Sequence, residues 1–264
     1  MDKAISRDGT TIAYERSGSG PALVLVDGAL CQRAMGPARP LAKLLSEHFT
    51  VYAYDRRGRG DSEDTAPYHP VREVEDLEAV IAEAGGEAYV FGQSSGAALA
   101  VEAAHRGVPI RKLALYEMPC IVDDSIESVP DDYDAQLEAM VTAGRRGDAV
   151  KSFMKRVGVP RIAIAVMRLL PIWKKLTGVA HTLPYDFRVL HGSQTGRPLP
   201  EGRWSGVTAP TLVLDGGKSP AWMRNGNQAL AEAVPGAVYG TLPGQTHMLK
   251  PEAVVSTLRE FFTD

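Results

Sequence analysis

Residues 87–106 read EAYVFGQSSGAALAVEAAHR. Glu87–Phe91 is a nearly continuous apolar run, the pattern of a strand buried on both faces of a parallel sheet. Gly96–Arg106 follows as a helix of small residues. Between them stands Gly92-Gln93-Ser94-Ser95-Gly96, a G-x-S-x-G sequence. Five letters alone carry little weight, but a strand that turns sharply into a helix is the setting in which a serine is presented as a nucleophile. The turn is tight, so its flanks require glycine, which has no Cβ to clash. Ser94 Oγ is thereby pushed out at the carboxyl end of the sheet, where open α/β sheets bind ligands. The plainer reading is a tight turn with a bystander serine.

The neighbouring segments repeat the strand–helix alternation. Two short alternating segments, near Lys3–Ser6 and Thr11–Arg16, flank an Asp8-Gly9 turn signal. Pro21–Gly28 (PALVLVDG) and Val51–Asp55 read as buried parallel strands, with a helix at Ala38–His48 between them. Arg56–His69 is a polar loop rich in Gly and Asp. A helix from Pro70 to Ala84 leads into the quoted stretch, and Lys112–Tyr116 is the next strand. From Met118 to Gly206 the pattern is helical, broken at Pro130, Pro160, Pro171, Pro184 and Pro198. The alternation resumes with Ala209–Gly216, a helix at Met223–Val234, a strand at Ala237–Thr241 and a last helix at Pro251–Phe262. Such alternation predicts a mostly parallel sheet covered on both faces by helices, in the α/β class. The core comprises residues 1–117 and 207–264, and residues 118–206 form a helical cap insertion.

Composition narrows the function classes. The 264 residues are 44% hydrophobic with a net charge of −3, which argues against general nucleic-acid binding. Two cysteines, Cys31 and Cys120, exclude a disulfide scaffold. No segment reads as a signal peptide or a membrane span, so a cytoplasmic protein with no membrane partner is expected. Arg57-Gly58-Arg59-Gly60 lacks nucleotide-fingerprint spacing, and no cofactor or metal is expected. Arg145–Lys175 holds nine Lys or Arg and one acid, Asp148. These are solvated helix faces or, in the sharper reading, an attractor for an anionic substrate or an acidic carrier protein.

A serine hydroxyl needs a base. Of six histidines, His247 lies in Pro243-Gly244-Gln245-Thr246-His247, a loop that opens at the same sheet edge as Ser94. His48, His69 and His105 fall at helix ends or in loops, and His181 and His191 in the insertion. A developing oxyanion needs donors. The Ser95 N–H is one, and the loop after the first parallel strand supplies the other, from Ala29 or else Leu30. Leu30, Cys31, Met118 and Trp173 are the candidate substrate contacts.

These segments resemble the α/β-hydrolase superfamily over nearly the whole chain. Asp55-Arg56-Arg57-Gly58-Arg59-Gly60-Asp61-Ser62 resembles its D-x-R-G-x-G-x-S segment, and Asp27-Gly28 stands where it usually has His-Gly. The resemblance implies the α/β-hydrolase fold, with Ser94 as nucleophile and His247 as base. It also implies a catalytic acid after the strand that follows the cap. There the chain reads Leu214-Asp215-Gly216-Gly217-Lys218-Ser219, with Ser219 in place of the expected Asp. Some haloalkane dehalogenases of the superfamily carry their acid one strand earlier, which points here to Glu117. Their nucleophile is an aspartate, so Ser94 argues against that reaction. Asp215 is the alternative acid, and the absence of any working acid is the third possibility. Otherwise Glu117 is a strand-end carboxylate paired with an arginine.

The expected activity is hydrolysis of an ester, thioester or lactone of a small hydrophobic molecule through an acyl-enzyme on Ser94. The altered acid and Asp27 keep open a non-hydrolytic enzyme of the same fold, such as a lyase, cyclase or acyl transferase. A silent binding protein is the remaining reading.

Overall fold

The computed structural model describes residues 1–264. Eight strands form one sheet in the order β1-β2-β4-β3-β5-β6-β7-β8, where β1 is Asp2–Ile5, β2 Thr11–Ser17, β3 Ala22–Val26, β4 Thr50–Tyr54, β5 Ala88–Gln93, β6 Ile110–Tyr116, β7 Thr211–Gly216 and β8 Val238–Leu242. β1 and β2 form the antiparallel edge, paired Asp2 to Tyr14 and Ile5 to Thr11. β2 runs antiparallel to β4, and every later pairing is parallel. The hairpin folds because Gly9 takes a positive φ beside Asp8.

Side chains alternate faces along each strand, and the core divides accordingly. Val24, Val26, Val90, Leu113, Leu115 and Val213 point to one face. There they meet α2 (Pro70–Glu83), α3 (Ser95–His105) and α9 (Ala221–Ala233). Leu23, Leu25, Phe91, Ala114 and Leu214 point to the other, against α1 (Ala38–Leu45) and α10 (Pro251–Thr263). Strands covered on both sides have no polar face, which is why their sequences read as unbroken apolar runs. α3 is lined with Ala97, Ala98, Ala100, Ala103 and Ala104, all buried. Side chains this small let the helix lie close to the sheet.

Residues 118–206 leave the sheet between β6 and β7. They hold α4 (Tyr133–Thr142), α5 (Arg146–Arg156), α6 (Arg161–Met167), α7 (Ile172–Gly178), a 3-10 turn at Ala180–Thr182 and α8 (Leu183–Val189). Leu137, Val150, Ile164, Leu176, Leu183 and Phe187 give this insertion its own apolar cluster, which Leu30 of the core joins. Pro160 and Pro171 stand at the N-caps of α6 and α7. Pro184 does not break a helix: it occupies the first turn of α8, where a missing N–H costs nothing. No helix is long and apolar enough to cross a membrane.

The segment Arg56–His69 is a loop, as its composition implies, but its arginines do not face solvent. It carries Arg56, Arg57 and Arg59 into the interior, each at most 1% exposed. Each guanidinium meets at least one carboxylate from elsewhere in the chain. Arg56 forks onto Glu73 of α2 at 2.7 and 2.9 Å, and Arg57 onto Asp76 at 2.9 and 2.7 Å. Buried charges of this kind persist only when paired and hydrogen-bonded.

Candidate active site

The end of β5 builds the first part of the site. Ser94 has φ 58° and ψ −127°, a region that costs a non-glycine residue about 1–3 kcal/mol. Its N–H donates to the Tyr116 carbonyl on β6 at 2.9 Å, which ties the turn to the neighbouring strand end. Glycine is required on both sides. A Cβ on Gly92 would lie 2.6 Å from the Gly96 carbonyl, and one on Gly96 would lie 2.2 Å from the Val26 carbonyl. The loop after β3 abuts the serine as well: a Cβ on Gly28 would sit 2.9 Å from Ser94 Cβ and 3.3 Å from its Oγ. The structure therefore brings together Ser94, the start of α3 at Ser95, and the Gly28–Ala29–Leu30 loop. The Ala29 N–H is taken by no other group of the protein. Leu30 has φ 59° and is buried against the insertion cluster.

His247 lies in the loop between β8 and α10. The loop is held at three points along the carboxyl edge. Gln93 Nε2 donates to the His247 carbonyl at 3.1 Å, and the Tyr116 hydroxyl to the Thr246 carbonyl at 2.6 Å. The Lys218 N–H donates to the Gln245 carbonyl at 2.8 Å. His247 Nδ1 is 2.9 Å from Glu117 Oε2.

Glu117 stands one residue past β6, fully buried, with φ 46°. Its Oε1 accepts from the Gly216 N–H at 2.8 Å and from Ser219 Oγ at 2.5 Å. Oε2 is left for the histidine. A carboxylate with two donors on one oxygen favours the tautomer in which Nδ1–H donates to the other, leaving Nε2 bare. Asp215 is placed differently. It is fully buried within β7, and Tyr239 of β8 donates to its Oδ2 at 2.5 Å.

The remaining sequence candidates divide between this edge and ordinary packing. Cys31 is half-buried, and burial pushes its thiol up to about 12. Met118 belongs to the main core. Trp173 packs on the insertion cluster, with the Arg168 guanidinium 5.9 Å from its ring centre. Cys120 is buried. Among the other histidines, His69 caps α2 through Nδ1 at 3.2 Å from the Val71 N–H. His105 Nδ1 accepts from the Gly206 N–H at 3.1 Å, and His181 lies 3.6 Å from Asp64.

Sequence reasoning missed four residues of this region. Ser219, which the resemblance marks only as a missing acid, donates to Glu117. Asp186 of α8 reaches the elbow, where Ser95 Oγ donates to its Oδ1 at 2.7 Å. Arg56 and Arg59 hold the loop carbonyls of Asp27 and Gly28 at 3.2 and 2.8 Å. The signal for the two arginines was their density in a segment followed by Glu73 and Asp76. Asp186 had none. Asp27 itself is buried, with Oδ2 unpartnered. Burial pushes its carboxyl up to about 7, against the opposing pull of the Ala38 amide, Arg59 and Arg56.

A doubly covered, mostly parallel sheet with a serine elbow at one strand end and a histidine loop after the last strand defines the α/β-hydrolase fold. Residues 28–257 match the Alpha/beta hydrolase family, and the chain belongs to that family. It is similar to an alpha/beta hydrolase from Sphaerobacter thermophilus DSM 20745, at 53% identity over 99% of this chain and 100% of the other, with a TM-score of 0.90. The enol-lactonase from Burkholderia xenovorans LB400 is similar at 25% identity over 100% of both chains, with a TM-score of 0.68. An esterase from Exiguobacterium antarcticum shares the fold at 18% identity over 99% of both chains, with a TM-score of 0.73.

Proposed function

We propose that this chain is a serine hydrolase acting on an ester, thioester or lactone of a small hydrophobic molecule. Ser94 Oγ attacks the carbonyl while His247 Nε2 takes its proton. Glu117 orients the ring and stabilises the imidazolium that forms. The Ser95 and Ala29 N–H groups hold the oxyanion. The imidazolium then protonates the leaving group, and water, activated by the same histidine, releases the acyl group from Ser94. The carrying observation is the Glu117 carboxylate, held by Gly216 and Ser219 and set 2.9 Å from His247 Nδ1. With it, the acid expected after β7 is supplied one strand earlier. The similar enol-lactonase, identical at one residue in four, supports lactones as the first substrates to try.

The helical insertion acts as a cap over this edge, and Leu30 and Cys31 line the acyl pocket. Between Ala149 and Tyr185 the insertion carries seven Lys or Arg and no acid. Val157, Ile162, Val166, Leu169 and Leu170 are exposed on the same stretch. This face would receive an acidic carrier protein, in which case turnover of a carrier-bound thioester falls with added salt while that of a free thioester does not.

The test of the activity is labelling with a fluorophosphonate probe, followed by turnover of a panel of small esters and lactones. Rapid labelling of the wild-type protein, absent in Ser94→Ala, with hydrolysis of at least one member of the panel, is expected. A wild-type protein that is not labelled contradicts the reading.

A further inference from the structure

We infer that Arg59 and Asp186 are positioning residues for the oxyanion hole, so that the hole is completed only when α8 of the insertion is seated on the core. This rests on the serine-hydrolase reading above. It adds two residues that touch neither substrate nor reacting atoms.

The Gly28–Ala29 peptide is planar and trans, so its C=O and N–H point in opposite directions. Arg59 Nη1 donates to the Gly28 carbonyl at 2.8 Å, which turns the Ala29 N–H away from the guanidinium. The preceding carbonyl, of Asp27, is held by Arg56 Nη1 at 3.2 Å. Both peptides leading into the hole are thus anchored from behind. They need anchoring. Gly28 has the backbone freedom to let its peptide flip, and Leu30 two residues on is strained at φ 59°. A flipped Gly28–Ala29 peptide would present a carbonyl oxygen, not an N–H, to the developing oxyanion.

The two arginines differ in what holds them. Arg56 is forked onto Glu73 within the core. Arg59 has one carboxylate partner, Asp186, which accepts from its Nη2 with both oxygens at 2.9 Å. Its Nε has no partner. Asp186 also accepts from Arg56 Nη1 at 2.8 Å and from Ser95 Oγ at 2.7 Å. One carboxylate from the insertion therefore reaches both sides of the hole: the residue whose N–H is one donor, and the guanidinium that orients the other. Burial raises its carboxyl, but Arg59 and Arg56 beside it outweigh this and hold it below the usual carboxylate range. Without Asp186, the Arg59 charge would be buried and uncompensated, and such a group moves or draws in water.

The experiment uses Asp186→Asn and Arg59→Lys in the full chain, with rates normalised to sites counted by organophosphonate burst titration, so that unfolded protein does not enter. Hydrolysis of a p-nitrophenyl ester is measured alongside inhibition by an alkylboronic acid, whose tetrahedral adduct on serine places an oxygen in the hole. Asp186→Asn is expected to lower kcat per site about 10- to 100-fold with KM changed less than about 3-fold, and to weaken boronate inhibition by the same factor as kcat. Arg59→Lys, which keeps the charge but loses the fork, should show the same coupled loss at smaller size and serves if Asp186→Asn does not fold. Variants with wild-type kcat and boronate inhibition per titrated site, changed only in thermal midpoint, would overturn the inference while leaving the hydrolase reading intact. A wild-type protein that neither turns over the ester nor binds the boronate would overturn both.

Discussion

Glu117 and Asp215 are two buried carboxylates at the ends of neighbouring parallel strands, β6 and β7, and they are placed for different work. Asp215 is still inside its strand, so its side chain follows the pleat and meets Tyr239 on β8. Glu117 lies one residue beyond its strand, and its positive φ turns the chain so that the carboxylate faces the histidine loop. The sheet edge decides which acid can reach His247, and a single residue of position relative to that edge is enough. Ser219, where the superfamily's usual acid would stand, donates to Glu117.

The sharpest way to break this comparison is to remove each acid in turn. Glu117→Gln should lower kcat per folded site by about 10³ to 10⁴, the loss seen when a triad acid no longer orients its histidine. Asp215→Asn should leave kcat per folded site within a few-fold of wild type and cost about 1–3 kcal/mol in urea unfolding, because it disturbs a buried hydrogen bond. Equal kinetic losses in the two variants would erase the distinction.

A carboxylate can also be placed at position 219 by substitution. Ser219→Asp alone sets a second carboxylate against Glu117 and should slow turnover by like-charge repulsion. Placed in the Glu117→Gln background, the same change returns an acid to the superfamily's usual position and should recover at least about 10-fold of the lost kcat. No recovery would mean that the loop after β7 no longer reaches the histidine. Ser219→Ala, which takes one donor from Glu117, should cost about 1 kcal/mol of transition-state stabilisation, or roughly 5-fold in kcat/KM.

A smaller effect concerns the third buried acid of this edge. Burial pushes the Asp27 carboxyl up to about 7, above its unfolded value of about 3.9. The native chain therefore holds more protons than the unfolded chain between those values, so this group stabilises below about pH 4 and its contribution is lost as pH rises through 7. Unfolding by urea at pH 5 and pH 8 should show the stability of the wild type relative to Asp27→Asn falling as pH rises. A difference that grows with pH would contradict the buried, proton-retaining state of Asp27.

Much of the fold was legible because it is written in local pattern. The doubly covered strands announce themselves as apolar runs, and the small residues of 96–104 announce a helix packed close to the sheet. The elbow glycines are legible for the same reason, since their role is steric and lies within five residues. Glu117 was reached through the resemblance, as one of two acids and not the only one. What escaped was charge that acts over distance. Arg56 is 130 residues from Asp186, and Arg59 is 127 residues from it. A polar loop and a buried ionic lattice have the same composition, and only the partners distinguish them. The role of Ser219 escaped because a missing acid draws notice as a loss, and a hydroxyl that supports another carboxylate leaves no pattern of its own.

The most direct measurement is the second-order rate of Ser94 inactivation by a fluorophosphonate, determined from pH 5 to 9 for the wild type, Glu117→Gln and Asp215→Asn, with folded protein quantified by circular dichroism. Asp215→Asn should be inactivated at the wild-type rate and Glu117→Gln about 10³-fold more slowly across the range. A Glu117→Gln protein that is inactivated as fast as the wild type would contradict the assignment of Glu117 as the partner of His247.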